Sequence, residues 1–106
     1  MASPIGEKIR GLRKQKGYTL DQLAELCDTS KSRIWELENR DSVRPTANKL
    51  GKLSEALGVT LEYLMSDDNS PPEDEVVDQA FYREYKKMPT DTKKKIREMV
   101  RIWSDE

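Results

Sequence analysis

Apolar residues recur at helical spacing along most of the chain, beginning with Ile5, Ile9 and Leu12 at positions i, i+4 and i+7. This stripe predicts a first helix from about Pro4 to Gly17. Proline suits a first helical turn, and glycine suits the position after the last turn. Similar patterns predict four more helices: a second that starts at Thr19, a third from about Ser30 to Asn39, a fourth from about Thr46 to Leu57, and a short fifth capped by Thr60.

The second and third predicted helices are short and joined by a tight turn. Thr19 and Gln22 have the spacing of a capping box, and Ser30 is placed to cap the third helix. Ala24 is small where the two helices would cross, and Ile34 and Leu37 would anchor the third helix from behind. This is the arrangement by which a helix-turn-helix places its second helix in the major groove of DNA.

The polar stretch 66–75 reads SDDNSPPEDE, which is typical of a linker. Two further helical patterns follow it, separated at Pro89, with Thr90 placed to cap the second. We therefore expect a DNA-binding domain at 4–65, an acidic linker at 66–75, and a C-terminal helical extension at 76–104.

The two C-terminal helices carry apolar stripes that cannot be buried within the extension alone. They must pack on the same subunit, on a second subunit or on another protein, and we expect dimerisation or partner packing. Aromatic residues and methionine are enriched in interface cores. The candidate interface residues are Phe81, Tyr85, Ile96, Met99, Val100 and Trp103.

Composition restricts the chemistry. The net charge is −1, but residues 1–66 hold 11 Lys/Arg and 9 Asp/Glu, whereas residues 67–106 hold 8 and 11, so the first part is mildly basic. The chain has no histidine, which removes histidine-based catalysis and the usual histidine-containing zinc sites. The single cysteine, Cys27, fits a reducing cytoplasm. We expect no enzyme activity, no cofactor, no metal, no secretion signal and no membrane span.

Residues 19–65 carry a family resemblance. This segment resembles the Xre/Cro phage-repressor helix-turn-helix family; it reads TLDQLAELCDTSKSRIWELENRDSVRPTANKLGKLSEALGVTLEYLM. The matching signals are Leu23-Ala24, Ser30 with Ile34, the LEN of residues 37–39 and a later Pro45. The resemblance covers about residues 4–65. It implies an all-α fold: a five-helix lambda-repressor-like DNA-binding domain, here followed by two C-terminal helices.

The resemblance also implies roles for individual residues. The base-facing positions are held by Lys31, Ser32, Arg33 and Glu36. Lysine or arginine can pair with guanine O6/N7, and glutamate can accept from cytosine N4. Trp35 is a further candidate DNA contact, on a thymine methyl group or a sugar, and its alternative role is packing at the helix edge.

Phosphate contacts are implied for the Leu20 backbone, Ser42 and Arg44. The sequence departs from the family at Leu20, where glutamine is frequent, and at Asp28 and Arg40, where glycine is frequent. Asp28 can adopt the left-handed conformation that such a turn requires.

Two further residues are implied to form a structural ion pair. The resemblance places Arg13 of the first helix against Glu38 of the third. Glu38 also falls on the inward face of its helix, and this favours the pair over two unrelated surface charges.

We expect a cytoplasmic, homodimeric, sequence-specific transcriptional regulator that binds a pseudo-palindromic operator in double-stranded DNA, most simply a repressor or autoregulator of a phage or mobile-element operon. A restriction–modification controller and an antitoxin are alternatives within this class. An alternative from another class is an interaction module whose C-terminal helices bind a toxin, a peptidase or a polymerase.

Overall fold

The computed structural model describes residues 3–41, 44–66 and 70–104, which form seven α-helices and no strand. The helices are α1 Pro4–Lys16, α2 Leu20–Leu26, α3 Lys31–Asn39, α4 Ala47–Leu57, α5 Leu61–Met65, α6 Asp74–Lys87 and α7 Thr90–Ser104. The predicted all-α fold, with five helices followed by two, is confirmed. Two predicted bounds were wrong: Asp74 and Glu75, assigned to the linker, belong to α6, and Thr90 is the first residue of α7 rather than its cap.

Hydroxyl side chains set the starts of the first five helices. Each cap accepts a hydrogen bond from the backbone N–H three residues further on, and the caps are Ser3, Thr19, Ser30, Thr46 and Thr60. Such a cap contributes about 1 kcal/mol because it satisfies an N–H that has no partner within the helix. Gly17 and Gly58, both in the left-handed conformation, end α1 and α4.

The helices α1 to α5 enclose one apolar core. Its largest fully buried side chains are Ile9, Leu23, Ile34, Leu53, Leu57 and Leu64, so every one of the five helices contributes. The core fixes α3 between α1 and α2, which both pack against it.

The C-terminal helices are covered unequally. In α6, Ala80 is buried and Val76 packs against the core. Arg83 Nη2 donates to the Ser54 carbonyl at 3.3 Å, which connects α6 to α4. In contrast, no residue of α7 in the range 90–104 is buried. Packing on the same subunit therefore accounts for one face of α6 and leaves the apolar stripe of α7 exposed.

Lys8 connects α1 to the end of α5. Its ammonium group donates to the Tyr63 carbonyl at 2.9 Å and to the Ser66 carbonyl at 2.7 Å, and it lies 4.5 Å from the centroid of the Tyr63 ring. The Tyr63 hydroxyl donates to the Ser70 carbonyl at 2.5 Å. These contacts fix the direction in which the chain leaves the five-helix domain.

Candidate nucleic-acid interface

Helix α3 has one face in the core and one face in solvent. Ile34 and Leu37 are buried in the core, and Glu38 is buried with them. At the N-terminus, Ser30 Oγ accepts from the Arg33 N–H at 3.1 Å. The cap and the buried face together fix the rotation of α3 about its axis, and therefore fix which side chains face outward.

The four predicted base-facing residues share the outward face of α3. Lys31, Ser32 and Arg33 are exposed and Glu36 is partly exposed. Arg33 Nη1 lies 3.7 Å from Glu36 Oε2. The pair places a donor fork and an acceptor side by side, a combination that suits adjacent base-pair edges in a major groove.

Trp35 stands at the edge of the same face. It is 46% exposed, and the Arg40 guanidinium lies 5.9 Å from the centroid of its ring. The Asn39 side-chain amide donates to the Trp35 carbonyl at 2.9 Å. Both roles considered for Trp35, contact with DNA and packing at the helix edge, stay predictions.

The turn between α2 and α3 is held from outside by α4. Asp28 has a φ of 54°, so the left-handed conformation predicted for it is confirmed. Lys49 of α4 donates to the Cys27 carbonyl at 3.1 Å and to the Asp28 carbonyl at 2.6 Å. Lys52 Nζ lies 3.5 Å from the Asp28 carboxylate. Sequence reasoning missed both lysines, because their partners lie more than 20 residues away.

The predicted ion pair between Arg13 and Glu38 is present and bidentate. Arg13 Nε donates to Glu38 Oε2 at 2.7 Å and Nη2 donates to Oε1 at 3.1 Å. Glu38 is only 2% exposed, and Arg13 also donates to the Tyr18 carbonyl at 2.9 Å. The pair ties α3 to α1 and satisfies a carboxylate that would otherwise be buried without a partner.

Gly6 lets α1 approach α3 closely. A Cβ atom at this position would clash with the Leu37 carbonyl and would lie 3.1 Å from Ser3 Oγ. Gly11, one and a half turns further along α1, has open space around its Cα. The sequence shows two similar glycines in one helix, so the different environments could not be read from it.

The structure describes two of the three residues predicted to contact phosphate, Leu20 and Arg44. Leu20 is the first residue of α2, where backbone N–H groups have no acceptor within the helix. Arg44 is exposed at the start of the segment that leads into α4. Ser42 lies outside the described residues.

Cys27 is a buried thiol at the end of α2. Burial raises the pKa of the thiol above its ordinary value of 9.0, and the nearby Lys49 and Lys52 oppose this rise only in part. Its position in the core makes Cys27 a small buried apolar residue of the domain.

An exposed apolar face lies across α6 and α7. Phe81 and Tyr85 stack with their ring centroids 6.2 Å apart, and with Ile96 and Val100 they line an open groove. Trp103 is 74% exposed at the end of this face, and Met99 is also exposed. All six predicted interface residues thus lie on α6 or α7; the exposed ones are Phe81, Met99, Val100 and Trp103, whereas Tyr85 and Ile96 are partly buried.

Residues 3–41, 44–66 and 70–104 contain no group of three or more cysteine or acidic side chains placed to hold a metal ion. Nor is any helix within these ranges both long enough and apolar enough to cross a membrane.

The fold and the outward face of α3 define a DNA-binding transcriptional regulator of the helix-turn-helix class. The helix-turn-helix domain family matches residues 6–69, which is more than half of the chain. The chain belongs to this family.

Curated relatives agree with this assignment. The chain is 30% identical over 98 residues to the HTH-type transcriptional regulator SinR of Bacillus subtilis, covering 91% of this chain and 88% of that protein. It is 30% identical over 64 residues to the immunity repressor protein of Bacillus phage phi105, covering 60% of this chain and 44% of the phage protein.

Solved structures show the same fold. A SinR structure described as the master regulator for biofilm formation in complex with DNA is 35% identical, covers 58% of this chain and 98% of that one, and has a TM-score of 0.55. A SinR/SinI protein complex is 22% identical, covers 96% of this chain and 99% of that one with a TM-score of 0.58, and shows a likeness of fold alone.

Proposed function

We propose that the protein is a dimeric, sequence-specific repressor that controls a phage or mobile-element operon, including its own transcription. The observation that carries this proposal is the division of α3: Ile34, Leu37 and Glu38 face the core, and Lys31, Ser32, Arg33 and Glu36 face outward. A helix anchored from behind in this way can enter a major groove without changing its packing.

The outward residues would read bases. Lys31 or Arg33 would donate to guanine O6/N7, and Glu36 would accept from cytosine N4; each well-formed pair contributes about 1–3 kcal/mol of discrimination. The positive end of the α3 dipole, at the Ser30 cap, would favour the same approach to DNA.

Phosphate contacts would supply affinity and fix the register on the duplex. The Leu20 backbone N–H at the start of α2, Arg44 and the predicted Ser42 would grip the backbone on either side of α3. The site residues and the division into domain, linker and extension are all part of this proposal.

The exposed face of α6 and α7 would hold two copies together. It is apolar, aromatic-rich and rimmed by charge, with Arg97 donating to the Tyr85 hydroxyl at 2.9 Å. Two reading helices would then meet half-sites about 34 Å apart, which is one turn of DNA.

The relatives support a repressor, and one of them comes from a phage. One relative is an immunity repressor of a phage, and another is a competence pilus inhibition repressor of Acinetobacter baylyi, 54% identical over 35 residues. A restriction–modification controller or an antitoxin could use the same domain. The proposal includes action in the cytoplasm, by binding alone and without catalysis, cofactor or metal.

A second candidate function rests on the same exposed face of α6 and α7. If it engages a different protein, such as a toxin, a peptidase or a polymerase, the chain acts as an interaction module. One experiment separates the two candidates, because only the repressor requires a defined operator.

The experiment is a selection of sequences from a random double-stranded library by the full chain at near-physiological salt, since phosphate-driven affinity falls steeply with salt. Enrichment of a pseudo-palindrome with half-site centres about 10 bp apart is expected. Enrichment of no sequence would overturn the repressor proposal and favour the interaction module.

A further inference from the structure

Trp35 is the most exposed aromatic side chain of the five-helix domain. The domain has two other aromatic residues, Tyr18 and Tyr63, and both pack partly against the core. Trp35 instead leaves 46% of its surface in solvent. A large apolar ring gains free energy when it is removed from water, so contact between a ligand and Trp35 would be favourable.

The position of the ring limits what it can contact. Trp35 lies one helical turn after Lys31 and Ser32, and these residues line an open depression together with Glu36 and Arg40. A ligand that fills this depression therefore contacts the indole as well as Ser32 and Glu36.

The charges around the ring favour DNA as this ligand. Lys31 and Arg40 bracket Trp35, and the Arg40 guanidinium lies 5.9 Å from the ring centroid. This cation–π contact restrains the indole and keeps positive charge beside it. A groove wall of phosphates would match the two cations, which outnumber the one carboxylate, Glu36, in the same depression.

Within a major groove, one apolar group is available to such a ring. Guanine, cytosine and adenine present donors and acceptors there, whereas thymine also presents its C5 methyl group. The indole has a single N–H donor and otherwise only apolar surface. Its complement in the groove is therefore thymine.

We propose that Trp35 is a specificity-determining residue that packs against the C5 methyl of a thymine in each half-site, next to the bases read by Ser32 and Glu36. This inference rests on the proposed function, because it assumes that α3 occupies a major groove. It adds a base preference that the charged residues of α3 do not supply.

The test removes the methyl group and the ring separately. Sequences are selected by the wild-type chain from one library made with thymine and one made with uracil, and the best thymine duplex is then titrated with uracil placed at one position at a time. At one thymine in each half-site, uracil is expected to weaken wild-type binding about fourfold, the loss expected for one buried methyl group.

Three variants complete the test. Trp35→Ala should bind the thymine and uracil duplexes equally at that position, and Trp35→Phe should keep part of the preference. Leu61→Ala, which removes another exposed apolar side chain of the same domain, should keep the full preference.

Each result has a defined meaning. If the wild-type chain enriches no sequence, both the inference and the proposed function are overturned. The inference alone is overturned if the wild-type chain enriches a sequence but binds its thymine and uracil duplexes equally. It is also overturned if Trp35→Ala keeps the wild-type preference for thymine. An exposed ring that serves a protein partner then becomes the better explanation.

Discussion

Arg13 and Glu38 are joined by two hydrogen bonds, of 2.7 and 3.1 Å, which connect α1 to the recognition helix α3. Both side chains are largely withdrawn from water. A bidentate guanidinium–carboxylate pair has a defined orientation as well as a charge match. The pair therefore sets the distance and the rotation of α3 relative to the rest of the domain.

Removing the carboxylate should destabilise the protein strongly. Glu38→Ala leaves the Arg13 guanidinium without its partner, and breaking a buried pair in this way costs about 3–5 kcal/mol. Urea unfolding measures this change in the free energy of unfolding. Glu25→Ala, an exposed residue of α2, is the matched control and should change stability by less than about 0.5 kcal/mol. Equal effects of the two substitutions would contradict a structural role for the pair.

The two glycines of α1 should respond in opposite directions to alanine. Gly6→Ala places a methyl group against the Leu37 carbonyl, so the helices must separate at a cost of about 1–3 kcal/mol. Gly11→Ala meets open space and should stabilise the protein by about 0.5–1 kcal/mol through helix propensity. Thermal or urea unfolding of both variants gives the comparison. A stabilising Gly6→Ala would show that α1 and α3 are further apart than described.

Local features of this fold could be predicted from the sequence, and long-range contacts could not. The caps at Thr19, Ser30 and Thr60 depend on residues three positions away, and the outward face of α3 follows from helical periodicity. Lys49 and Gly6, in contrast, act on residues brought close only by folding. Glu38 could be predicted in part. Helical periodicity places it on the inward face of α3, whereas its partner Arg13 was implied only by the family resemblance.

Cys27 should make stability decrease at high pH. Its pKa is raised in the folded state, so the folded protein holds the thiol proton where the unfolded chain has lost it, and the free energy of unfolding should decrease as pH rises past 9.0. Below that pH the thiol is protonated in both states and contributes no pH dependence. Comparison of urea unfolding at pH 7.5 and 10 with Cys27→Ala isolates this effect from the other titrating groups. An identical pH dependence in the two proteins would argue against a raised pKa.

The apolar face of α6 and α7 should control assembly. Val100→Asp places a charge in the groove next to Phe81 and Ile96, and the proposed dimer should dissociate because an unpaired charge in an apolar interface is strongly unfavourable. Ile102→Asp is a matched control, since both residues are 59% exposed on α7 and Ile102 is not among the residues that line the groove. Sedimentation equilibrium reads the mass directly. Dissociation by both substitutions, or by neither, would rule out this face as the specific contact between two copies.

The central claim is that the outward face of α3 reads DNA sequence. The most direct test measures the affinity of the double variant Lys31→Ala/Arg33→Ala for the selected operator and for a scrambled duplex. The control is the double variant Arg10→Ala/Lys14→Ala on α1, which removes the same charge from exposed positions. We predict that the α3 variant loses at least about tenfold in operator affinity and most of its preference over the scrambled duplex, whereas the α1 variant keeps its preference. Equal preference for the operator in both variants would contradict the assignment of α3 as the reading helix.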